Sequence, residues 1–373
     1  MRHSKAKNKY FLKTMAIITP VFMALFLTYS IVSSNASVNK TLNLTDKQLL
    51  FLSNYVYFDG TENLVTIGEF LDSLKTNGTY NPTKINAPST GIKDSQAIEM
   101  FKEIEADETL RNLVAIGSID KHIRAVAFVD KSAVNYKGAE AVMVYQGTKG
   151  LDEPWLDNLE GAYYTDTDLQ KVAGRFFDNV KEDYNITYVT GHSKGGNLAQ
   201  YVTITRGTNI KKCVSFDGQG FSPLFINKYK TKIANNAQKI TSICAHKDPV
   251  NALLTPIASD IIYINIGNVS SLSAHNSILL YNKNYFNSNG TYKTSYMTNP
   301  HKTVTLIAKM SDYIVNNVDT STIQCAAEAV APAISTTLPV VTDAMSYEDR
   351  SLIEGLYTEV MEKYDDSKEN AQN

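Results

Sequence analysis

Cysteine is scarce in this chain. Three among 373 residues, Cys213, Cys244 and Cys325, leave one over even if two pair, so no disulfide framework is expected. Cys213 and Cys244 lie inside apolar, strand-like runs and read as buried free thiols. Charge of either sign is in no surplus. The 36 Lys and Arg against 38 Asp and Glu give a net charge of −2, which offers nucleic acid no basic face. His, Cys and carboxylates show no metal-ligand spacing, so neither a metal nor a cofactor is expected. Internal repeats are absent too.

What the chain does have is apolar residues, at 43%, enough for a packed globular core. Residues 1–36 read as a targeting segment: Arg2, Lys5, Lys7, Lys9 and Lys13 precede an apolar run from Met15 to Val32, and Ser34-Asn35-Ala36 supplies small residues for cleavage. At about 18 residues the run is long for a signal peptide and near the minimum for a span. A cleaved signal and an N-terminal anchor, with membrane association through residues 14–34, both stay open. Either way the rest of the chain is expected to be exported, secreted or held at the cell surface.

From Leu44 to about Leu113 the apolar spacing is helical, with Thr66-Ile67-Gly68-Glu69 reading as a capping box. From Ala125 onward, strands at 125–129, 139–145, 185–191, 211–216, 240–245 and 261–266 alternate with helices after Asp168, after Ser193 and over 222–238. That order predicts an α/β fold with a mostly parallel sheet covered on both faces. Asn289-Gly290 reads as a hairpin turn and 301–318 as a closing helix. The domain is expected over 37–320, with a helical or partly disordered extension over 321–373.

The chemistry is concentrated in Gly191-His192-Ser193-Lys194-Gly195-Gly196, where an apolar strand runs into Gly-x-Ser-x-Gly and a helix starts at once. This is the order of a nucleophile elbow. Glycines at 191 and 195 let strand and helix approach and hold Ser193 in a strained turn. The helix N-terminus that follows offers N–H groups to an anion forming beside the serine. Gly207 stands where a C-terminal cap is expected.

A serine needs a base. In α/β-hydrolases the chain order is Ser, then acid, then His. Of six histidines, His3 lies in the targeting segment, His122 precedes the sheet, His192 belongs to the elbow and points away from its serine, and His246 precedes the best acid. His275 follows a strand end and is the preferred base; His301 reads as a solvated first-turn residue. Asp248, on a Pro-stiffened loop after the strand at 240–245, is the preferred acid. Asp217, in a turn-rich loop after 211–216, competes. Asp260 precedes a strand, at the wrong end of the sheet.

Val144-Tyr145-Gln146-Gly147-Thr148, followed by Trp155-Leu156-Asp157-Asn158, resembles the segment upstream of the elbow in class 3 (fungal-type) lipases. Gly191-His192-Ser193-Lys194-Gly195-Gly196, Phe216-Asp217-Gly218-Gln219-Gly220 and Asp248-Pro249-Val250 resemble later motifs of that group, in order. The chain is most similar to bacterial lipase-like α/β-hydrolases long known as a domain of unknown function. They share Gly-His-Ser-Lys-Gly-Gly-Asn and the 46–59 segment ending in Tyr-x-x-Phe-Asp. The similarity spans roughly 44–318. It implies an α/β-hydrolase fold, a Ser193–His275–Asp248 triad, and an oxyanion hole from the N–H groups of Thr148 and Lys194. It fixes no substrate. One departure is Lys194, where an apolar residue is usual; a lysine on a first helical turn is ordinarily solvated. Residues 149–161, with Trp155, read either as a lid or as a segment packed on the sheet.

The expected activity is cleavage of small acyl-ester or lipid substrates. Thioester or amide cleavage and acyl transfer fit the same residues, and a non-catalytic surface binding module is the alternative from another class.

Overall fold

Strand order explains most of the architecture. The computed structural model describes residues 41–85, 92–148, 153–325 and 327. The sequence readings of a targeting segment at 1–36, of the stretch 149–152 and of most of the 321–373 extension lie outside them. Eight strands form one sheet: β1 (Leu113–Lys121), β2 (Ile123–Asp130), β3 (Glu140–Tyr145), β4 (Asn185–His192), β5 (Lys212–Phe216), β6 (Ile240–Ala245), β7 (Asp260–Ile264) and β8 (Met297–Thr298). They lie side by side in chain order. Pairs from β3 to β7 are parallel, while β1–β2, β2–β3 and β7–β8 are antiparallel. The fold is therefore α/β with a mostly parallel central sheet.

Sequential order means that every crossover steps in the same direction. With the usual right-handed crossover, all connecting helices then fall on one face. The core agrees: Ala127, Met143, Tyr145, Val189 and Cys213 point into the cluster of α5 (Asp168–Val180), α6 (Lys194–Arg206) and α7 (Pro223–Lys228). Their strand neighbours Phe128, Val142, Val144, Tyr188 and Val214 point the other way. That second face has no crossover helix left to cover it. The N-terminal helices α1 (Asp46–Tyr55), α2 (Ile67–Ser73) and α3 (Asp94–Ala106) cover it instead, with Leu49, Phe51, Met100 and Phe101 fully buried. The remaining helices used below are α4 (Glu153–Glu160), α8 (Lys230–Asn236) and α9 (Lys302–Asn317).

Several local readings meet the structure directly. The Thr66–Glu69 capping box is present, and Gly290 takes φ 76° in the turn before the Phe286–Tyr292 bridge. Cys213 and Cys244 are free and buried. Others need correction. The helix expected over 222–238 breaks at Tyr229 into α7 and α8. Gly207 caps α6 at φ −70°, without the left-handed conformation, because the chain tightens into a 3-10 turn there. His122 does not precede the sheet; it occupies the tight turn between β1 and β2 at φ 68°.

Candidate active site

The parallel strands deliver the predicted residues to one edge of the sheet, outside their carboxyl ends. Thr148 follows β3, Ser193 ends β4, Asp217 follows β5, Asp248 follows β6 and His275 follows β7. At the end of β4 the chain turns sharply, with Ser193 at φ 58°, ψ −125°. For a non-glycine residue that conformation is strained, and such strain gathers at functional sites. The flanking glycines make it attainable. A Cβ on Gly191 would strike the Gly195 carbonyl, and one on Gly195 would strike the Tyr145 carbonyl. Ser193 N–H is tied to Phe216 O at 2.8 Å, which holds the elbow against β5.

Ser193 Oγ lies 2.8 Å from His275 Nε2, and His275 Nδ1 lies 3.0 Å from Asp248 Oδ1. Asp248 is fully buried while the His275 side chain keeps 23% exposure, so the imidazole is open on one side. Asp248 also accepts from Val250 N–H at 3.0 Å and from Asn251 N–H at 3.3 Å. Burial opposes its ionisation. The charge and hydrogen bond of His275, with the bond from Val250 N–H, outweigh burial and hold the carboxyl below its ordinary value. Of the two competing acids, Asp248 is the one on the imidazole; Asp217 sits behind it. His301 is remote and exposed, capping α9 through Thr303 N–H.

His192, set aside on the sequence, is part of this assembly. Its ring centroid lies 4.9 Å from that of His275, and Nε2 lies 2.9 Å from the His275 carbonyl oxygen. A carbonyl only accepts, so Nε2 carries the proton. Nδ1 must then accept, and it does so from Tyr57 O–H at 2.9 Å. The Tyr57 oxygen in turn accepts Gly147 N–H at 3.0 Å. Burial first, and then the neighbouring His275, pull His192 down to about 3, so the ring is neutral. This chain braces the loop of His275 and the end of β3 together. It takes Gly147 N–H out of play and leaves Thr148 N–H as the next donor along. Lys194 N–H is the first orphan donor of α6.

Lys194 corrects the expectation of a solvated side chain. It is 2% exposed and ion-paired with Asp157, itself 5% exposed, from α4. Asp157 further accepts Thr167 O–H at 2.8 Å and Leu169 N–H at 3.1 Å. One carboxylate thus pins α4 to α5 and to the elbow helix. The end of the segment read as a lid is anchored at Asp157. Truncating one member of a buried pair strands the other's charge. Lys194→Met is therefore expected to lower the unfolding free energy by about 3–5 kcal/mol. In urea melts the Lys194→Met/Asp157→Leu double variant should lose less than the two single losses added. A loss below about 1 kcal/mol for Lys194→Met would mean the pair behaves as a solvated one.

Beside Gly147, Thr148 and Lys194 opens a cavity of about 160 Å³, also lined by His122, Arg124 and Gln146. Its wall is mixed, with Ile123 and Leu169 among its apolar residues.

The Mbeg1-like family model matches residues 105–312, more than half of the chain and the span from Thr148 to His275. The chain belongs to the Mbeg1-like family. Among solved structures, the Mbeg1-like chain is similar to M37 lipase at 14% identity and a TM-score of 0.31, over 56% of this chain and 69% of that one. It is also similar to the extracellular lipase LipA from Serratia marcescens at 16% identity and a TM-score of 0.27. That match covers 56% of this chain and 40% of the lipase. No curated protein matches the Mbeg1-like chain.

Proposed function

We propose that this chain is an exported serine hydrolase of the α/β-hydrolase fold, acting on small acyl esters through an acyl-enzyme. The observation that carries the reading is the unbroken relay Ser193 Oγ, His275 Nε2, His275 Nδ1, Asp248 Oδ1, with links of 2.8 and 3.0 Å. Membership of the Mbeg1-like family, with its lipase-like relationship, supports it. Export rests on the basic and apolar pattern of residues 1–36.

Ser193 Oγ bonds to the ester carbonyl carbon while its proton passes to His275 Nε2. The carbonyl oxygen takes the negative charge beside the N–H groups of Thr148 and Lys194. Collapse breaks the ester bond, and the departing alkoxide takes the proton back from His275. Water, deprotonated by the same nitrogen, then attacks the acyl-enzyme, frees the acid and restores Ser193. Asp248 supports the imidazolium that forms twice in each cycle.

The substrate reading comes from the cavity. The cavity reaches Thr148 and Lys194, the neighbours of Ser193, and about 160 Å³ holds a chain of a few carbons. Anchoring at Asp157 also argues against a lid that swings open on lipid. Short- and medium-chain esters should therefore be turned over best, with no rate jump when the substrate aggregates. An acyl-chain series on the purified domain, run below and above aggregation, checks this. A preference for long chains or a sharp interfacial jump would make the protein a true lipase. No turnover of any ester would favour thioesters, amides or a binding role.

A further inference from the structure

Asp217 is a buried acid that the proposed reaction does not use. It is 0% exposed, sits at φ 50° just after β5, and hangs on β6 through its own N–H to Ile243 O at 3.1 Å. Its two oxygens are treated unequally. Oδ1 accepts twice, from Ala245 N–H at 2.7 Å and from Asn251 Nδ2 at 3.2 Å. Oδ2 is buried and meets no donor among the described residues. An ionised carboxylate needs donors on both oxygens. One oxygen that accepts twice and one that accepts nothing is the pattern of a C=O and an O–H. The neighbouring carboxylate of Asp248 is tied to the same amide as Asp217, since Asn251 Nδ2 bonds Asp217 Oδ1 at 3.2 Å. Asn251 closes the arrangement, because its Nδ2 also lies 3.2 Å from Asp248 Oδ2.

We propose that Asp217 is a neutral carboxylic acid that donates its proton to Asp248, and so positions the carboxylate on which His275 turns. Burial, and next the Asp248 charge, push the Asp217 carboxyl well above its ordinary value, in keeping with this geometry. The other titratable groups around the two carboxyls are His275, His192, Cys244, Tyr263 and Tyr292. Burial holds the thiol and both phenols in their neutral forms. Burial also keeps His192 uncharged. Asp248 is therefore the one anion among these groups, and His275 the one that takes and returns a proton in the proposed reaction. A second negative charge there would hold the imidazole protonated and spoil it as a base. Asp217 is a positioning residue; it never touches the ester.

The inference takes Asp248 as the carboxylate behind the base, so the test has one arm that needs no catalysis. Infrared difference spectra between the parent protein and Asp217→Asn at pH 7 should show the carbonyl stretch of a protonated carboxyl in the parent only. Its absence from the parent would overturn the proposal, whether or not any ester is cleaved. The second arm is the pH–rate profile. Asparagine keeps the shape, the neutrality and a donor, so Asp217→Asn should leave the low-pH limb in place and kcat/KM within about threefold of the parent. A shift of that limb to lower pH by about one unit would mean that Asp217 had carried a charge. Asp217→Ala removes the donor; the freed Asp248 should grip the imidazolium harder and move the limb to higher pH. An Asp217→Ala limb that coincides with the parent's would mean the proton does nothing for Asp248. Should that variant fail to fold in a thermal melt, the infrared and Asp217→Asn arms decide alone.

Discussion

Ser193→Ala is expected to abolish covalent labelling by a fluorophosphonate probe and to cut ester turnover by roughly 10⁴–10⁶-fold. The magnitude follows from how the site is built. In the proposed mechanism no acyl-enzyme forms without Oγ, and the remaining help is the proposed hole at Thr148 and Lys194, which acts only on an attacking water. The fold should survive the change. The strained conformation of Ser193 is set by the glycines and by its N–H bond to Phe216, neither of which involves Oγ. A melting temperature near that of the parent protein would establish that. If the folded variant labels as strongly as the parent, the nucleophile lies elsewhere and the elbow is only a turn.

The residues proposed to react were legible because each follows from local chemistry. Gly-x-Ser-x-Gly between a strand and a helix has one geometry, and a parallel sheet sends every strand end to the same edge. Elimination among six histidines then left His275, and an acid on a stiff loop pointed to Asp248. What stayed hidden depends on contacts that no local pattern encodes. His192 is braced by Tyr57 from 135 residues away, and nothing in the sequence around either residue marks the pairing. Lys194 looked solvated because lysines on first turns usually are; its partner Asp157 lies on a separate helix. A charged residue where an apolar one is expected was the available signal, since a buried lysine requires a buried acid. Asp217 was read as a rival to Asp248. A tighter question, which of the two acids can reach an imidazole and which faces another carboxyl, needs coordinates.

The same logic applies to the fold. The helical N-terminal region was recognisable by its spacing, but its purpose was not. Only the sequential strand order shows that α5, α6 and α7 are confined to one face, so that α1, α2 and α3 must close the other. β1 escaped notice for a different reason. It is an edge strand, buried at Leu113 to Ala115 and increasingly exposed toward Lys121, and so lacks the continuous apolar run that marks its inner neighbours.

Asp248→Asn is expected to lower kcat by about 10⁴-fold while leaving KM and the melting temperature much less affected. The carboxylate does two things at once. It accepts the Nδ1 proton of His275, which fixes Nε2 as the nitrogen facing Ser193, and in the proposed reaction it supports the imidazolium formed in each step. An amide in its place can turn its NH₂ toward Nδ1 and hold the wrong tautomer, with Nε2 protonated and unable to take the serine proton. Asp217→Asn makes the same chemical change one strand away, and its comparison with Asp248→Asn is the sharpest test of the assignment. Asp217 shows no bond to His275 among the described residues; its side-chain bonds run to Ala245 and Asn251. Its replacement should therefore cost at most a few-fold where that of Asp248 costs orders of magnitude. Parallel measurement of kcat, KM and thermal melts on both variants decides the matter. The reverse ranking, with both proteins folded, would move the acid to Asp217 and require the loop of His275 to rearrange in the working enzyme.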